Sequence, residues 1–311
     1  MKPHIIETHG LSYSFGKRQV LHNLELRVPQ GTIFGFLGPN GAGKSTTIRI
    51  LLGLLPVPKG QVMVHGQDLK DHRIDVLRRT GTLIEMPTLY RHLSGYDNLE
   101  MNRRMVQAPK SRVEEVLQIV GLTQDAHRKT KEYSLGMSQR LGIALALLSD
   151  PELLILDEPT NGLDPSGIRE VRELIIRLNN EHGKTIFLSS HLLSEIEKCA
   201  TELAIIDRGR TLYQGSLQHL YQGAFTSNVL QLETSNNSIA YKLLADHQYE
   251  LLPQEADALA VQVHDKEQVA LLNRLLVDNG IGVYRLSMNT HNLEELFLNM
   301  TKGEATPSAV L

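Results

Sequence analysis

The feature that most constrains this chain is a glycine-rich loop that joins an apolar segment to a helical one. The loop consists of Gly38, Pro39, Asn40, Gly41, Ala42, Gly43, Lys44, Ser45 and Thr46. Residues 32–37 form an apolar run that predicts a buried strand, and residues 46–52 predict the start of a helix. Glycines allow a tight turn that aims backbone N–H groups inward, where the positive end of the helix dipole also points. The pattern G-x-x-x-x-G-K-[ST] therefore predicts a loop that surrounds nucleotide phosphates.

Two side chains of the loop add chemistry to this backbone arrangement. Lys44 supplies a mobile positive charge for the β- and γ-phosphates of a nucleotide. The hydroxyl of Ser45 is a ligand for Mg²⁺ in loops of this pattern. We therefore predict that the chain binds a nucleoside triphosphate together with Mg²⁺. The loop alone does not indicate what the nucleotide is used for.

Composition narrows the class of protein further. The 311 residues carry a formal net charge of −3, which gives no global electrostatic reason to expect nucleic acid as a partner. Cys199 is the single cysteine, so no internal disulfide can form and a reducing compartment is expected. The longest apolar runs fall far short of the ~20 residues that span a bilayer, and the first residues lack a signal-peptide core. We expect a chain that does not cross a membrane but can dock on a protein that does.

Strand and helix patterns alternate through most of the chain. Residues 4–30 are β-rich, the pattern becomes helical from about residue 96 to 148, and apolar strands follow at 153–156, 185–188 and 203–206. Helical segments separate these strands. Such alternation is typical of an α/β fold with a parallel sheet flanked by helices.

A break in the pattern predicts a second domain. Residues 1–222 form the first predicted domain, 223–228 a polar linker, 229–301 a smaller module and 302–311 a flexible tail. Within the module we expect strand, helix, two strands, helix, strand and a last helix. The βαββαβ part of this order is typical of a small ferredoxin-like α+β fold.

Two acidic residues at the end of a predicted buried strand form the second strong signal. Asp157 and Glu158 follow the apolar run at 153–156, and the carboxyl ends of strands are where open α/β sheets bind ligands. We predict that Asp157 holds Mg²⁺, directly or through water, and that Glu158 accepts a proton from an attacking water. The alternative is a helix N-terminus that places acidic side chains against its dipole. The nearby phosphate loop favours the first interpretation.

Together these motifs resemble the ATP-binding cassette of an ABC transporter, over about residues 4–222. Residues 133–140 resemble the signature motif of that family, because Ser134 and Gly136 match while Leu135 and Met137 depart from it. In the family this motif opens a helix and grips the γ-phosphate of ATP held by the partner subunit.

Further positions are assigned by the same resemblance. Asp164 lies in a segment similar to the D-loop, which crosses to the other subunit. His191 resembles the switch histidine that holds water and γ-phosphate in position. Phe15 matches the aromatic residue that stacks on adenine, with Tyr13 as a nearby alternative. The remaining possibility is that this strand aromatic simply faces the core.

One position departs from the family pattern in an informative way. The family normally has Gln at position 85, where it touches Mg²⁺ and the attacking water, but this chain has Glu85. A carboxylate ligates a hard cation at least as well as an amide but donates no hydrogen. Glu85, together with the spelling of the signature segment, is similar to cassettes of the bacitracin-resistance and lantibiotic-immunity type. The alternative is a neutral exchange in an ordinary cassette.

The resemblance implies an α/β P-loop NTPase with a parallel core sheet, an antiparallel β subdomain and a helical subdomain at about 88–150. It implies an ATPase that uses ATP and Mg²⁺. The catalytic residues that it implies are Lys44, Glu85, Glu158 and His191. The metal ligands that it implies are Ser45, Asp157 and Glu85.

Partners and location also follow from the resemblance. We expect two copies of the chain to enclose two ATP molecules and to drive a separate integral-membrane permease, which contacts residues 85–98. The chain would then be cytoplasmic and peripheral on the inner face of the cell membrane, exporting antimicrobial peptides or drugs. The alternatives are export of lipids or ions, or a non-transport ABC ATPase acting on nucleic acid or the ribosome. No sustained heptads of the kind found in repair ATPases occur, and no nucleic-acid partner is expected.

Overall fold

The computed structural model describes residues 3–190, 193–224, 228–252, 259–263 and 265–289, with residues 293, 296, 297 and 300. The chain divides into two compact units between Leu217 and Gln218. Among the described residues, no helix is both long enough and apolar enough to cross a membrane.

An antiparallel sheet begins the first unit. Its strands are β1 (His4–Phe15), β2 (Arg18–Pro29), β4 (Val62–Val64) and β5 (Gln67–Asp68), in the spatial order β2-β1-β4-β5. Apolar residues alternate along β2, and Leu24, Leu26 and Val28 are buried, because one face of the sheet packs on the core. Only two residues separate β1 from β2, so Phe15 and Arg18 are direct cross-strand partners.

A six-stranded sheet forms the centre of the first unit. Its strands are β3 (Ile33–Leu37), β6 (Thr80–Ile84), β7 (Leu153–Asp157), β8 (Thr185–Ser190), β9 (Glu202–Asp207) and β10 (Arg210–Ser216). The spatial order is β10-β9-β3-β8-β7-β6, and every neighbouring pair is parallel except β9 with β10. Every residue of β3, β7 and β8 is buried, as continuous apolar strands of a covered parallel sheet should be.

Aromatic packing contributes to the core around this sheet. The rings of Phe34 and Phe36 on β3 lie 5.8 and 5.1 Å from the ring of Phe187 on β8. All three belong to a buried cluster that includes Ile6 and Leu26 of the antiparallel sheet. Full burial of one such side chain contributes about 1.5–3 kcal/mol, so the cluster holds the two sheets together.

Parallel pairing brings the ends of four strands to one edge of the central sheet. Asp157 pairs with Ser189 of β8 and with Ile84 of β6, while Leu37 of β3 pairs with Ser190. The loops that follow these strands therefore emerge side by side. This edge is where doubly wound sheets bind their ligands.

Helices complete the first unit. Those around the sheets are α1 (Lys44–Leu51), α2 (Leu69–Arg78), α6 (Pro165–Asn180) and α7 (Leu193–Glu197), and α8 (Leu217–Ala224) spans the unit boundary. A helical subdomain lies in sequence between β6 and β7. It contains α3 (Gly95–Val106), α4 (Ser111–Ile119), a 3₁₀ turn (Thr130–Glu132) and α5 (Leu135–Leu147).

The second unit is an antiparallel sheet with two helices. Its elements are β11 (Asn228–Thr234), α9 (Asn237–Asp246), β12 (Leu251–Leu252), β13 (Leu259–Val263), α10 (Lys266–Asp278) and β14 (Val283–Asn289). The spatial order β12-β13-β11-β14, antiparallel throughout, is that of a ferredoxin-like fold. The predicted fold class is thus confirmed for both units.

The predicted linker lies partly, and the predicted tail wholly, outside the described residues. α8 ends at Ala224 and β11 begins at Asn228, so 225–227, the centre of the expected linker, lie outside the described residues. Most of the last expected helix and all of the tail at 302–311 lie outside them as well.

Candidate nucleotide-binding site

The phosphate loop joins β3 to α1, and two kinds of constraint explain its glycines. Gly41 and Gly43 have φ of +83° and +110°, in a region that favours glycine. A Cβ on Gly38 would lie 2.5 Å from the carbonyl oxygen of Ile206, and one on Gly43 would lie 2.6 Å from Cδ2 of Leu21. The loop therefore packs closely against β9 and β2, and a Cβ at either position would force a neighbouring atom to move.

The ammonium group of Lys44 is held within this loop. Its Nζ donates to the carbonyl oxygens of Gly38 at 2.7 Å and Pro39 at 3.3 Å. Burial lowers the pKa of Lys44, while the carboxylates of Glu158 and Asp157 act in the opposite direction. The loop thus carries a positive charge beside the carboxylates, as phosphate binding requires.

Ser189 connects the two acidic residues at the end of β7. Its hydroxyl donates to Oδ1 of Asp157 and accepts the N–H of Glu158 at 3.0 Å. Burial raises the pKa of Asp157, the hydrogen bond from Ser189 lowers it, and the charge of Glu158 raises it. Glu158 adopts φ of +47°, in the left-handed region that non-glycine residues occupy only rarely.

A pocket of about 450 Å³ opens over the phosphate loop. It is lined by Phe15, Arg18, Val20, Pro39, Asn40, Gly41, Gly43, Lys44, Ser45, Thr46 and Glu158. The lining combines the phosphate loop, the hairpin between β1 and β2, and the second acidic residue. The volume lies within the range of about 300–1,000 Å³ that small-molecule sites occupy.

The two aromatic candidates for stacking on a base differ in position. Phe15 lines the pocket and is 49% exposed, so one part of its ring is open to a ligand. Tyr13 contacts the Phe15 ring edge-on at 5.1 Å and packs against the core cluster. Tyr13 is not part of the pocket lining. The geometry therefore favours Phe15, and its contact with adenine remains a prediction.

Glu85 lies directly after β6 and next to the acidic end of β7. Its side chain is 75% exposed, and Oε1 lies 3.8 Å from Nη2 of Arg49 on α1. The charge of Glu85 is the smallest of the causes that affect the pKa of Asp157. Glu85 is not among the residues that line the pocket. Its predicted contact with Mg²⁺ and water stays a prediction.

Ser134, Gly136 and Asp164 lie at the starts of helices. Ser134 caps α5 by accepting the N–H of Met137 at 3.1 Å, and Asp164 caps α6 by accepting the N–H of Gly167 at 2.8 Å. Ser134 and Asp164 are exposed. None of the three lines the pocket over the phosphate loop. The structure therefore does not bring the signature and D-loop residues to the phosphate loop of their own chain.

His191 is a predicted site residue that lies outside the described residues, and three residues of the site were not predicted. Ser189, Arg18 and Val20 had not been assigned to the site. The two-residue turn after Phe15 could have indicated Arg18, since it makes the two residues cross-strand partners. The bond from Ser189 depends on strand register, which no local pattern gives.

The donor set fits a hard cation such as Mg²⁺. Ser45 lines the pocket, and the buried Asp157 lies at the end of β7, which is separated from β3 by β8. No group of three or more His, Cys, Asp or Glu side chains within the described ranges is arranged to hold a metal alone. Mg²⁺ needs only one or two protein ligands, because water and nucleotide phosphates complete its shell.

The chain is similar to known proteins in both sequence and structure. A family model described as ABC transporter matches residues 21–161. The chain is 41% identical to the bacitracin transport ATP-binding protein BcrA of Bacillus licheniformis, over 96% of this chain and 98% of that protein. It is 44% identical to the lantibiotic transport ATP-binding protein SrtF of Streptococcus pyogenes, over 68% of this chain and 93% of that protein.

Solved structures give the same architecture. The structure of an ATP binding subunit of an ABC transporter superposes with a TM-score of 0.62 and 29% identity, over 70% of this chain and 92% of that one. The structure of cbiO1 from Clostridium perfringens, part of the ABC transporter complex cbiONQ, superposes with a TM-score of 0.66 and 23% identity, over 78% of this chain and 96% of that one. The second similarity supports the fold alone.

Proposed function

Because the chain belongs to the ABC transporter family, in which it is an ATP-binding subunit and an ATPase, we propose that it powers export of an antimicrobial peptide. The cargo class is supported by two relatives that align over most of their length and whose names specify bacitracin and lantibiotic transport. Both cargoes are peptide antibiotics, so we propose this shared class, and not either compound, as the cargo of this chain.

One observation carries the catalytic proposal: a single pocket is lined by the phosphate loop and by Glu158. ATP lies with its phosphates on the loop, where Lys44 and the backbone N–H groups stabilise negative charge. Glu158 accepts a proton from the water that attacks the γ-phosphate. His191 positions that water, and the base of ATP stacks on Phe15. Ser45, Asp157 and Glu85 would hold Mg²⁺, which would supply positive charge against the phosphate oxygens.

The site is completed by a second copy of the chain. Ser134, Gly136 and Asp164 do not line the pocket of their own subunit, which supports contact with ATP across a two-fold interface. The N-terminus of α5 then presents its positive dipole end and the Ser134 hydroxyl to the partner's γ-phosphate. ATP binding favours the closed dimer, because the nucleotide contacts both subunits only in that state.

A separate membrane permease converts this closure into transport. We place its contact at residues 85–98, next to the acidic edge of the sheet, and the chain itself on the inner face of the cell membrane. Residues 1–222 serve as the cassette, 223–228 as the linker and 302–311 as the tail. Residues 229–301 form an accessory module whose fold carries no catalytic constellation of its own in its described part.

The test uses the chain co-purified with its permease from membranes. ATP hydrolysis by this complex is expected to rise when bacitracin or a lantibiotic is added. Glu158→Gln is expected to slow hydrolysis by about 10²–10⁴-fold, the usual contribution of a general base, while ATP still binds. Near-normal turnover in that variant would refute the role of Glu158. Stimulation by lipids or ions but by neither peptide would refute the cargo class.

A further inference from the structure

Arg18 shares a sheet face with Phe15. The two residues flank the two-residue turn between β1 and β2 and are directly paired across the hairpin. Side chains of directly paired residues project to the same face of an antiparallel ladder. Both line the pocket of about 450 Å³ over the phosphate loop. The guanidinium of Arg18 and the ring of Phe15 therefore lie at the same end of the pocket.

The pocket lining carries more positively than negatively charged side chains. The lining contains two cations, Arg18 and Lys44, and one acid, Glu158. Lys44 already donates to two loop carbonyls. Arg18 is exposed, and none of the ion pairs formed within the part of the chain that the structure describes involves it. An arginine without a carboxylate partner in a phosphate-binding pocket is suited to an anionic ligand, because its planar fork matches phosphate oxygens.

We propose that Arg18 is a nucleotide-binding residue that donates hydrogen bonds to the α-phosphate. The inference rests on the proposed function, in which Lys44 of the loop contacts the β- and γ-phosphates and Phe15 holds the base. The part of the nucleotide between these two anchors is the ribose with its α-phosphate. The α-phosphate carries the negative charge nearest to the hairpin, so it is the group that a guanidinium beside Phe15 meets.

The experiment measures dissociation constants of ATP, ADP and GTP for the full chain by calorimetry. Arg18→Ala is expected to weaken all three by the same factor, about 5–20-fold, because they share the α-phosphate and lose a charge-assisted contact. Arg18→Lys keeps the charge without the fork and is expected to lose less. The matched control is Lys17→Ala, which removes the neighbouring charge in the turn outside the pocket lining.

Kinetics separate binding from chemistry. In Arg18→Ala the KM for ATP is expected to rise by the same factor as the dissociation constant, with kcat within about two-fold of the unmodified chain. Unchanged affinity in Arg18→Ala, or an equal loss in Lys17→Ala, would overturn the proposal. A loss that differs between ATP and GTP would assign Arg18 to the base and also overturn it.

A parallel variant distinguishes failure of this inference from failure of the proposed function. Lys44→Ala is expected to abolish tight ATP binding. If Lys44→Ala loses affinity and Arg18→Ala does not, only the role of Arg18 is wrong. If Lys44→Ala binds ATP normally, the nucleotide site itself is wrong, and the role of Arg18 is refuted with it.

Discussion

Asp157 is a single residue of the proposed site that lowers the stability of the nucleotide-free fold. This residue is 6% exposed at the end of β7. Burial raises the pKa of Asp157 above its ordinary value of 3.8, and the hydrogen bond from Ser189 offsets only part of that rise. The nucleotide-free native state therefore binds this proton more tightly than the unfolded chain does. At neutral pH the ionised carboxylate destabilises the native state.

Asp157→Asn is accordingly expected to stabilise the nucleotide-free chain at pH 7. The amide oxygen still accepts from Ser189, and no buried charge remains, so we expect a gain of about 0.5–2 kcal/mol, the usual size when a functional site is relieved. The gain should shrink as the pH falls through the raised native pKa and vanish below the ordinary value of 3.8, where both states are protonated. Thermal unfolding at a series of pH values measures it.

Asp75→Asn is the matched control, because that carboxylate lies on α2 with its side chain 59% exposed. A surface carboxylate should change stability by less than about 0.5 kcal/mol. If Asp157→Asn lowers the melting temperature at pH 7, or if its effect does not depend on pH, the buried carboxylate is not a source of instability.

The phosphate loop, at the scale of an element, offers a paired test of backbone strain. Gly41 and Gly43 both have positive φ, but a Cβ on Gly41 meets nothing within 4 Å, whereas one on Gly43 meets Leu21 at 2.6 Å. Gly41→Ala should therefore cost about 1 kcal/mol of unfolding free energy, for the left-handed backbone alone. Gly43→Ala should cost about 2–4 kcal/mol, because it adds overpacking. Urea unfolding of both variants compares them, and equal costs would contradict the contact with β2.

An element can be predicted from the sequence when the interactions that form it join residues close together in the chain. The strand–loop–helix unit around Lys44 was predictable because its turn chemistry lies within one short segment. The ferredoxin-like order of the second unit was predictable because the hydrophobic period of each segment signals its element. Local contacts support these elements, since Asp265 caps α10 by accepting the N–H of Gln268 at 2.7 Å. The bond from Ser189 to Asp157 was not predictable, because it arises from the register of two strands far apart in sequence.

At the scale of the whole molecule, the residues proposed for the ATP site do not all line one pocket within the described part of the chain. Lys44 lines the pocket, while Ser134 and Gly136 lie at the start of α5 and do not. If the loop of one chain and the signature segment of another form each site, a variant with a damaged loop and a variant with a damaged signature segment should recover ATPase activity when mixed. If one chain is sufficient, mixing them should recover none.

Mixing two inactive variants tests this. Lys44→Ala removes the loop charge. Gly136→Asp places a carboxylate where the partner's γ-phosphate would lie, yet it fits the fold, because a Cβ there lies 3.8 Å from the nearest atom, Cα of Gly167. An acidic residue in the first turn of α5 is also favourable for that helix. Each variant alone is expected to be inactive as an ATPase, and both should retain the melting temperature of the unmodified chain within a few degrees.

An equal mixture of the two variants should recover activity. With free exchange, roughly half of the dimers are mixed, and each mixed dimer has one site with an intact loop and an intact partner signature. Roughly a quarter of the normal number of sites is therefore competent, and the ATPase rate of the mixture should approach that fraction. The rate should fall again on dilution, because assembly depends on concentration. If the mixture stays as inactive as its components at concentrations where the unmodified chain hydrolyses ATP, the two motifs do not serve a shared site across a dimer.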